Sequence, residues 1–348
     1  MAVYNFERLN ILLVEDNSYV RNILHDLLIQ LRFGRVTTAT DGTDAIEFLK
    51  TIKPGGLDII ISDYVMSPID GLLLLRWVRA SKESPNRFMP FIMLSGAADY
   101  EYVNASRDMG VTEFLAKPFS SLAVSKRLLE VIDYPRQFIV TQTYYGPERR
   151  RQDVGSPKTE ERRRMNEKDV AVVYSADKVV KPKTPTDVWY FRLPNSLKDK
   201  VGGMGDGGPG ELPTEILEQA EEQLERSALD FTEWALEYLG QLSKLCDKAL
   251  ARSGDRTSNF HEINLLAHEL RGQGGTFGYP LISIFGKMLY ECTMEGCRKH
   301  DNNVEIVKAH IDAMRAVIRE KIAGDGGQVG QALLASLKEA IKKQTKFA

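Results

Sequence analysis

Short apolar runs alternate with amphipathic segments over residues 8–133. The runs NILLVED, RVTTA, DIIIS, PFIMLS and TEFLAK have the length of strands and are rich in Ile, Leu and Val, as buried strands are. Helical patterns begin between them, near Ser18, Gly42, Asp70, Asp99 and Ser120. Because parallel strands need helix-length crossovers, this alternation predicts an α/β domain with a doubly wound, five-stranded parallel sheet covered by helices on both faces.

The alternation stops after residue 133. Residues 134–212 contain several prolines, the arginine triplets of ERRRQD and ERRRMN, and the glycine-rich VGGMGDGGPG. Such a composition buries too little apolar surface to offset the entropy of ordering the chain, so a flexible, largely disordered linker is predicted. The aromatic stretch DVWYFRLP at 187–194 is expected either to dock onto a domain or a partner, or to pack as a strand-like piece on a neighbouring helix.

Nearly all of residues 213–348 has a helical pattern. A long amphipathic segment begins at Pro213 and Thr214 and extends to about Ala251. Further helices are predicted at about 258–275, 280–297, 303–323 and 328–344. Helices joined by such short loops favour a separate all-α domain, an antiparallel bundle.

Composition narrows the class of protein. A chain of 348 residues has room for two domains, and 46 Lys and Arg against 48 Asp and Glu indicate neither a nucleic-acid partner nor membrane insertion. The three cysteines match no metal or redox spacing. No apolar run has the length of a membrane span or a secretory signal, so a cytoplasmic protein is expected.

Polar side chains follow the predicted strands. The first strand ends in Glu15 and Asp16, the third in Asp63, the fourth in Ser95 and the fifth in Lys117. Ligands of open α/β sheets bind at the carboxyl ends of the strands, and clustered carboxylates there favour a bound hard cation, best Mg²⁺. A carboxylate beside Mg²⁺ can accept a phosphoryl group, while a lysine and a hydroxyl stabilise its oxygens. The alternative is that individual acids only cap helices or lie on the surface.

The motifs LLVEDN, IIISDYVM, a DG seven residues on, IMLSG and AKPF resemble the receiver domain of two-component response regulators. The resemblance implies that Asp63 accepts the phosphoryl group and that Ser95 and Lys117 bind its oxygens. It also implies Mg²⁺ ligands at Asp16, Asp63 and the carbonyl of Val65, with Glu15 assisting through water. Sensor histidine kinases, other receivers and phosphotransfer proteins are the implied partners.

At several positions the family pattern makes a specific prediction or this sequence departs from it. The family leads us to expect a cis Lys117–Pro118 bond, and Phe114 occupies the position of the switch aromatic but lacks a hydroxyl. The loop MSPIDG carries its proline one position later than is usual. Val65 and Ala97 lack the polar side chains that often place the hydrolytic water in the family, so a slowly hydrolysing phosphoaspartate is predicted.

Glycines follow an isolated histidine in HELRGQGGTFG. At about 100° per residue, one arc forms an apolar core face: Ile263, Leu266, Ala267, Leu270, Gly274 and Phe277. His268 lies on the other side of the helix and is expected to be exposed, with Arg271 one turn away able to pair with phosphoryl oxygens. Gly272 and Gly275 leave the neighbouring surface bare, which suits the approach of another protein.

This segment resembles the histidine-containing phosphotransfer domain, whose signature is His, any residue, Leu, a basic residue and Gly, with a further Gly six positions later. The resemblance implies that His268 carries a phosphoryl group. Alternatively, His268 is an ordinary surface residue and the glycines mark a kink or a helix end. The other four histidines, among them His310, lack the flanking pattern and are interpreted as solvated.

Together these features predict a bacterial-type phosphorelay protein that is not an enzyme beyond accepting and passing on phosphate; a homodimer is left open. One rival is a receiver-controlled interaction or dimerisation module in which His268 is chemically idle. A DNA-binding regulator would account for the arginine triplets, but no helix-turn-helix pattern is present. A phosphatase would need a second acid at position 65, which is Val.

Overall fold

The computed structural model describes residues 2–96, 106–117, 119–148, 188–191, 193–202, 208–251, 255–275, 277–324 and 326–346. The chain divides into two compact units, Met1–Leu224 and Glu225–Ala348. This division falls inside a helix, whereas the sequence pattern predicted the end of the linker at residue 212.

The first unit contains the predicted α/β domain. Its elements are β1 (Ala2–Val3), β2 (Asn10–Val14), α1 (Ser18–Gln30), β3 (Arg35–Ala39), α2 (Gly42–Thr51), β4 (Ile59–Asp63), α3 (Gly71–Ala80), β5 (Phe91–Gly96), β6 (Glu113–Lys117) and α4 (Ser121–Asp133). Strands β2 to β6 form one five-stranded sheet in the order β3-β2-β4-β5-β6, and every neighbouring pair is parallel. The predicted doubly wound fold is confirmed.

Local signals set the ends of these helices. Asn17, Asp41, Asp70 and Ser120 are the N-caps of α1 to α4, and each side chain accepts a backbone N–H of the first turn. The inner strands β2, β4 and β5 are runs of apolar residues and are buried almost throughout, whereas the edge strand β3 buries only Ala39. The predicted helix start near Asp99 lies outside the described residues.

Described parts of residues 134–212 are folded, which differs from the expected flexible linker. They form β7 (Phe138–Val140), β8 (Tyr145–Pro147), β9 (Trp189–Phe191), α5 (Ser196–Lys200) and β10 (Gly210–Glu211). Strands β8, β7 and β9 make an antiparallel sheet, whose Phe138 and Phe191 pack against Phe88 at ring distances of 5.1 and 5.6 Å. The aromatic stretch around 187–194 therefore docks onto the first domain, because its rings supply the apolar area that the rest of the segment lacks.

Polar contacts attach the remainder of this segment. Asp133 accepts a hydrogen bond from the Tyr4 hydroxyl at 2.5 Å and one from the backbone of Gly210 at 3.1 Å. The Lys198 ammonium lies 3.2 Å from the same carboxylate. We call residues 134–148 and 188–211, as far as they are described, the extension of the receiver fold.

The second unit is helical. It contains most of α6 (Thr214–Leu250), followed by α7 (Arg256–Gln273), α8 (Pro280–Thr293), α9 (Asp301–Arg319) and α10 (Gly327–Lys346), close to the predicted helices. Buried residues recur every three or four positions along α6, for example Phe231, Ala235 and Leu239. Among the helices that the structure describes, none is long and apolar enough to cross a membrane.

The interpretation of His310 as a solvated residue was wrong. Its side chain is fully buried in α9, and Nδ1 lies 2.7 Å from the carbonyl oxygen of Ile306. Its position on the apolar face of α9, between the buried Val307 and Ile311, decides its burial. Burial lowers the pKa of His310 below its ordinary value.

Candidate functional site

Three carboxylates and a lysine meet at one end of the parallel sheet. Glu15 and Asp16 directly follow β2, while Asp63 ends β4 and Lys117 ends β6. Since β2 and β4 are neighbours in the sheet, their carboxyl ends bring the acids together. Carboxylate oxygens of Glu15, Asp16 and Asp63 lie within 4.8 Å of one another. We call these four residues the acid pocket.

Lys117 contacts two of the three carboxylates in the acid pocket. Its Nζ lies 3.0 Å from Glu15 Oε2 and 3.0 Å from Asp63 Oδ1. The Glu15 and Lys117 side chains are 1% and 6% exposed, and that of Asp63 is 13% exposed. Asp63 is therefore the more accessible of the two carboxylates that contact the lysine.

Charge and burial shift the titration of these groups. Burial, reinforced by the charge on Asp63, raises the pKa of Glu15 to about 8 and that of Asp16 to about 6. Burial alone would lower the pKa of Lys117, but the charges of Asp63 and Glu15 outweigh it and raise that pKa above its ordinary value. The lysine thus stays protonated at neutral pH. Its single positive charge does not fully offset the effect of burial on the carboxyl groups of Glu15 and Asp16.

The residues of the acid pocket fit a hard divalent cation. Glu15 Oε1 is buried and has no hydrogen-bond partner among the described residues, which is costly for a carboxylate oxygen. A divalent ion with oxygen ligands would satisfy this atom and relieve the repulsion from Asp63 that, after burial, raises the pKa values of Glu15 and Asp16. Val65, whose carbonyl was expected to be a ligand, lies half-buried in the loop two residues after Asp63.

Two residues position the site, of which Arg21 was missed from sequence and Gly71 was noted only as part of the DG motif. The Arg21 guanidinium donates hydrogen bonds to the carbonyls of Glu15 at 2.7 Å and of Asp16 at 3.1 Å, and so holds the turn that presents both acids. Gly71 lies against the end of β4, because a Cβ added there would sit 2.1 Å from the carbonyl oxygen of Asp63. The DG motif marked Gly71 without its packing role, and nothing in the local pattern distinguishes Arg21.

The other predicted positions are only partly described. Ser95 is the second-last residue of β5 and lies opposite Ala116. Its side chain lies outside the described part of the structure, as do Ala97 and the Lys117–Pro118 bond. Phe114 is half-buried and packs against the core cluster of the sheet. The loop MSPIDG contains a cis Ser67–Pro68 bond.

A doubly wound sheet with acids and a lysine at the carboxyl ends of its strands defines a receiver-type α/β domain. In agreement, residues 11–129 match the family model of the response regulator receiver domain. The chain belongs to this family, and its first domain is that of a two-component signalling protein.

Chemotaxis proteins are among the relatives. CheY-3 of Vibrio cholerae is 30% identical over 132 residues, which cover 38% of this chain and 97% of the relative. CheY of Pseudomonas aeruginosa is 29% identical over 125 residues, covering 36% and 97%. Among solved structures, Vibrio cholerae CheY4 is 28% identical, with a TM-score of 0.32, and the match covers 35% of this chain and 98% of that one.

His268 lies on α7 in the second unit. It is half-buried rather than exposed as predicted, because the ring of Tyr290 from α8 packs beside it at 5.5 Å between ring centres. The guanidinium carbon of Arg271 lies 5.6 Å from the centre of the same Tyr290 ring. His268 and Arg271 thus share one face of α7, as predicted from their spacing.

The glycines after His268 have two different surroundings. Gly272 is exposed, and an added Cβ would meet no atom within 4 Å. Gly274 is buried, and an added Cβ would lie 2.6 Å from Ile282 Cβ. The surface near His268 is therefore bare at Gly272, as predicted, whereas Gly274 lets α7 and α8 pack closely. Of the predicted core arc, only Leu266 is not buried but half-buried.

Proposed function

We propose that this protein is a phosphorelay component in which Asp63 accepts a phosphoryl group and His268 exchanges phosphate with a receiver aspartate. The observation that carries the first half is the contact of the Lys117 ammonium with both Glu15 and Asp63 at 3.0 Å. It places a positive charge beside Asp63, which is partly open to solvent, whereas Glu15 is buried.

In the first step, a carboxylate oxygen of Asp63 attacks the phosphorus of the donor. A new P–O bond forms while the P–N bond to the donor's imidazole breaks, and the leaving nitrogen keeps the electron pair. Lys117 stays protonated and can follow the developing charge from the carboxylate to the phosphoryl oxygens. Ser95 would donate its hydroxyl to one of these oxygens.

The groups that would hold Mg²⁺ are Glu15, Asp16, Asp63 and the Val65 carbonyl. The bound ion would neutralise the negative charge that otherwise repels the donor. Arg21 contributes by fixing the backbone of the two acids. The donors expected from the receiver family are sensor histidine kinases and phosphotransfer proteins.

For His268, the proposal is supported by its sequence motif and by the shape of α7 around it. The imidazole is half-buried rather than enclosed, Arg271 lies one turn away on the same face, and Gly272 leaves the adjoining surface free of side chain. A receiver domain could approach this face closely enough for in-line transfer between nitrogen and oxygen.

Two variants of the full chain test both halves. Asp63→Asn keeps only His268, and we expect labelled phosphoramidate to give it acid-labile, base-stable phosphate. His268→Gln keeps only Asp63, and acetyl phosphate should load it with base-labile phosphate in the presence of Mg²⁺. On mixing labelled Asp63→Asn with unlabelled His268→Gln, the label should move to the second chain.

The outcomes separate the two halves. No label on His268→Gln would refute the role of Asp63, and no label on Asp63→Asn would refute that of His268. Label on both without movement between them would refute exchange between the two sites of this chain. The double variant is the control and should stay unlabelled with both donors.

A second function is a receiver-controlled interaction or dimerisation module in which the helical unit does not transfer phosphate. The packing of the His268 ring beside Tyr290 favours it, since a histidine held against an aromatic ring can be structural. Under this alternative, His268→Gln leaves every phosphate measurement unchanged.

A further inference from the structure

The ring of Tyr290 contacts both polar side chains of the face that carries His268. Tyr290 is half-buried on α8, and its ring centre lies 5.5 Å from that of His268 and 5.6 Å from the guanidinium carbon of Arg271. A guanidinium within about 6 Å of an aromatic ring centre is attracted to the ring. One side chain of α8 therefore lies against the imidazole and the cation of α7 that the proposed phosphate transfer uses.

The packing of α8 on α7 fixes where this ring lies. Gly286 is one turn before Tyr290 and on the same face of α8, and a Cβ added there would sit 2.6 Å from the backbone nitrogen of Arg271. The Asn264 side-chain amide donates hydrogen bonds to the Tyr290 carbonyl at 2.9 Å and to the Thr293 hydroxyl at 3.0 Å. The last two turns of α8 are thus anchored to α7, and the Tyr290 ring is anchored with them.

An anchored ring can hold a long side chain in place. An arginine side chain has many rotamers, and fixing it in one of them costs conformational entropy. The Tyr290 ring restricts the Arg271 guanidinium to the side of α7 that carries His268 before any phosphoryl group arrives. Both contacts are made by the ring, so a phenylalanine would supply them equally well.

We propose that Tyr290 is a positioning residue, which holds the Arg271 guanidinium beside His268 so that this cation meets the oxygens of a phosphoryl group on the imidazole. The inference rests on the proposed phosphate transfer at His268. The packing of His268 beside Tyr290 is then part of the transfer site and not the mark of an idle histidine.

Uptake of label from phosphoramidate tests this role in the full chain carrying Asp63→Asn, the parent, in which His268 is the proposed acceptor. The imidazole attacks the phosphorus, the P–N bond of the donor breaks, and the departing ammonia takes the proton that the phosphorylated imidazolium releases. We expect Tyr290→Leu to slow this uptake about three- to tenfold, as the loss of a cation–π contact on a half-buried ring implies. Tyr290→Phe keeps the ring and should retain the rate of the parent.

Combination with Arg271→Gln decides whether Tyr290 acts through the arginine. Arg271→Gln by itself should slow uptake, and adding Tyr290→Leu should slow it little further, because residues that act as a unit have non-additive effects. Tyr238→Leu is the matched control. Tyr238 is also half-buried in the second unit, but its ring packs against Trp234 of α6 at 4.2 Å between ring centres, so the rate should not change.

NMR relaxation of the Arg271 side chain measures its positioning without any phosphate. The order parameter of the Arg271 Nε–H bond should fall in Tyr290→Leu and keep the value of the parent in Tyr290→Phe. An unchanged order parameter, an unchanged uptake rate in Tyr290→Leu, equal slowing by Tyr238→Leu, or additive effects with Arg271→Gln would each overturn the role of Tyr290. If the parent takes up no label, the proposed function of His268 fails, whereas the order parameter still decides whether Tyr290 holds Arg271.

Discussion

Two glycines in one turn of the chain should respond oppositely to the same substitution. In Gly274→Ala, the new Cβ would lie 2.6 Å from Ile282 Cβ and 2.7 Å from both the Ser283 nitrogen and the Tyr279 carbonyl oxygen. Two of these atoms are backbone, so α7 and α8 would have to separate. In Gly272→Ala, the Cβ would enter open space.

The magnitudes follow from these surroundings. Overpacking of a close contact costs about 1–3 kcal/mol, so we expect Gly274→Ala to lower the free energy of unfolding of the second unit by that amount. The αR conformation of Gly274, with φ −52° and ψ −45°, adds no backbone strain for Ala. Gly272→Ala should be neutral, or stabilising by up to about 1 kcal/mol, because Ala is the better helix former.

Hydrogen exchange measured by mass spectrometry in increasing urea is the suitable assay. Peptides from residues 256–293 report on α7 and α8 separately from the first unit. Faster exchange in Gly274→Ala only would agree with the packing described. The reasoning would be refuted if both variants behaved alike, or if Gly272→Ala were the less stable one.

Three further outcomes are expected. Because Val65 and Ala97 offer no polar side chain to a hydrolytic water, phosphate on Asp63 should persist for minutes or longer; a half-life of seconds, read from loss of base-labile label, would contradict this. Burial lowers the pKa of His310, so below about pH 6.5 the unfolded chain gains a proton that the folded chain does not. As the pH decreases, the free energy of unfolding should therefore fall by up to about 1.4 kcal/mol per pH unit. His310→Leu should lack this part of the slope in urea titrations between pH 7 and 5. Gly71→Ala should slow phosphorylation of Asp63 by acetyl phosphate, since its Cβ would collide with the Asp63 carbonyl; an unchanged rate would exclude a positioning role for this glycine.

Much of the first domain could be predicted from its sequence. In β2 and β4 a continuous apolar run is followed by an acid, and β6 ends in Lys117. In a parallel sheet that order alone brings Asp16, Asp63 and Lys117 to one end. The helix starts were likewise readable, because residues such as Asn17 and Asp70 cap the helices they precede. These features depend on neighbours in the sequence or on a fixed topology.

Other features depend on contacts between elements that are far apart in the sequence. Nothing near His310 distinguishes it from a surface histidine, and only the packing of α9 buries it. Arg21 holds the acids through backbone carbonyls, which carry no sequence signal. The extension folds because its few aromatic residues meet Phe88 of the receiver fold. Sequence alone thus determined the order of the elements and the chemistry at the strand ends. The tertiary structure decided the burial of His310, the close contact of α7 with α8 and the docking of the extension, since these arise from residues far apart in the chain.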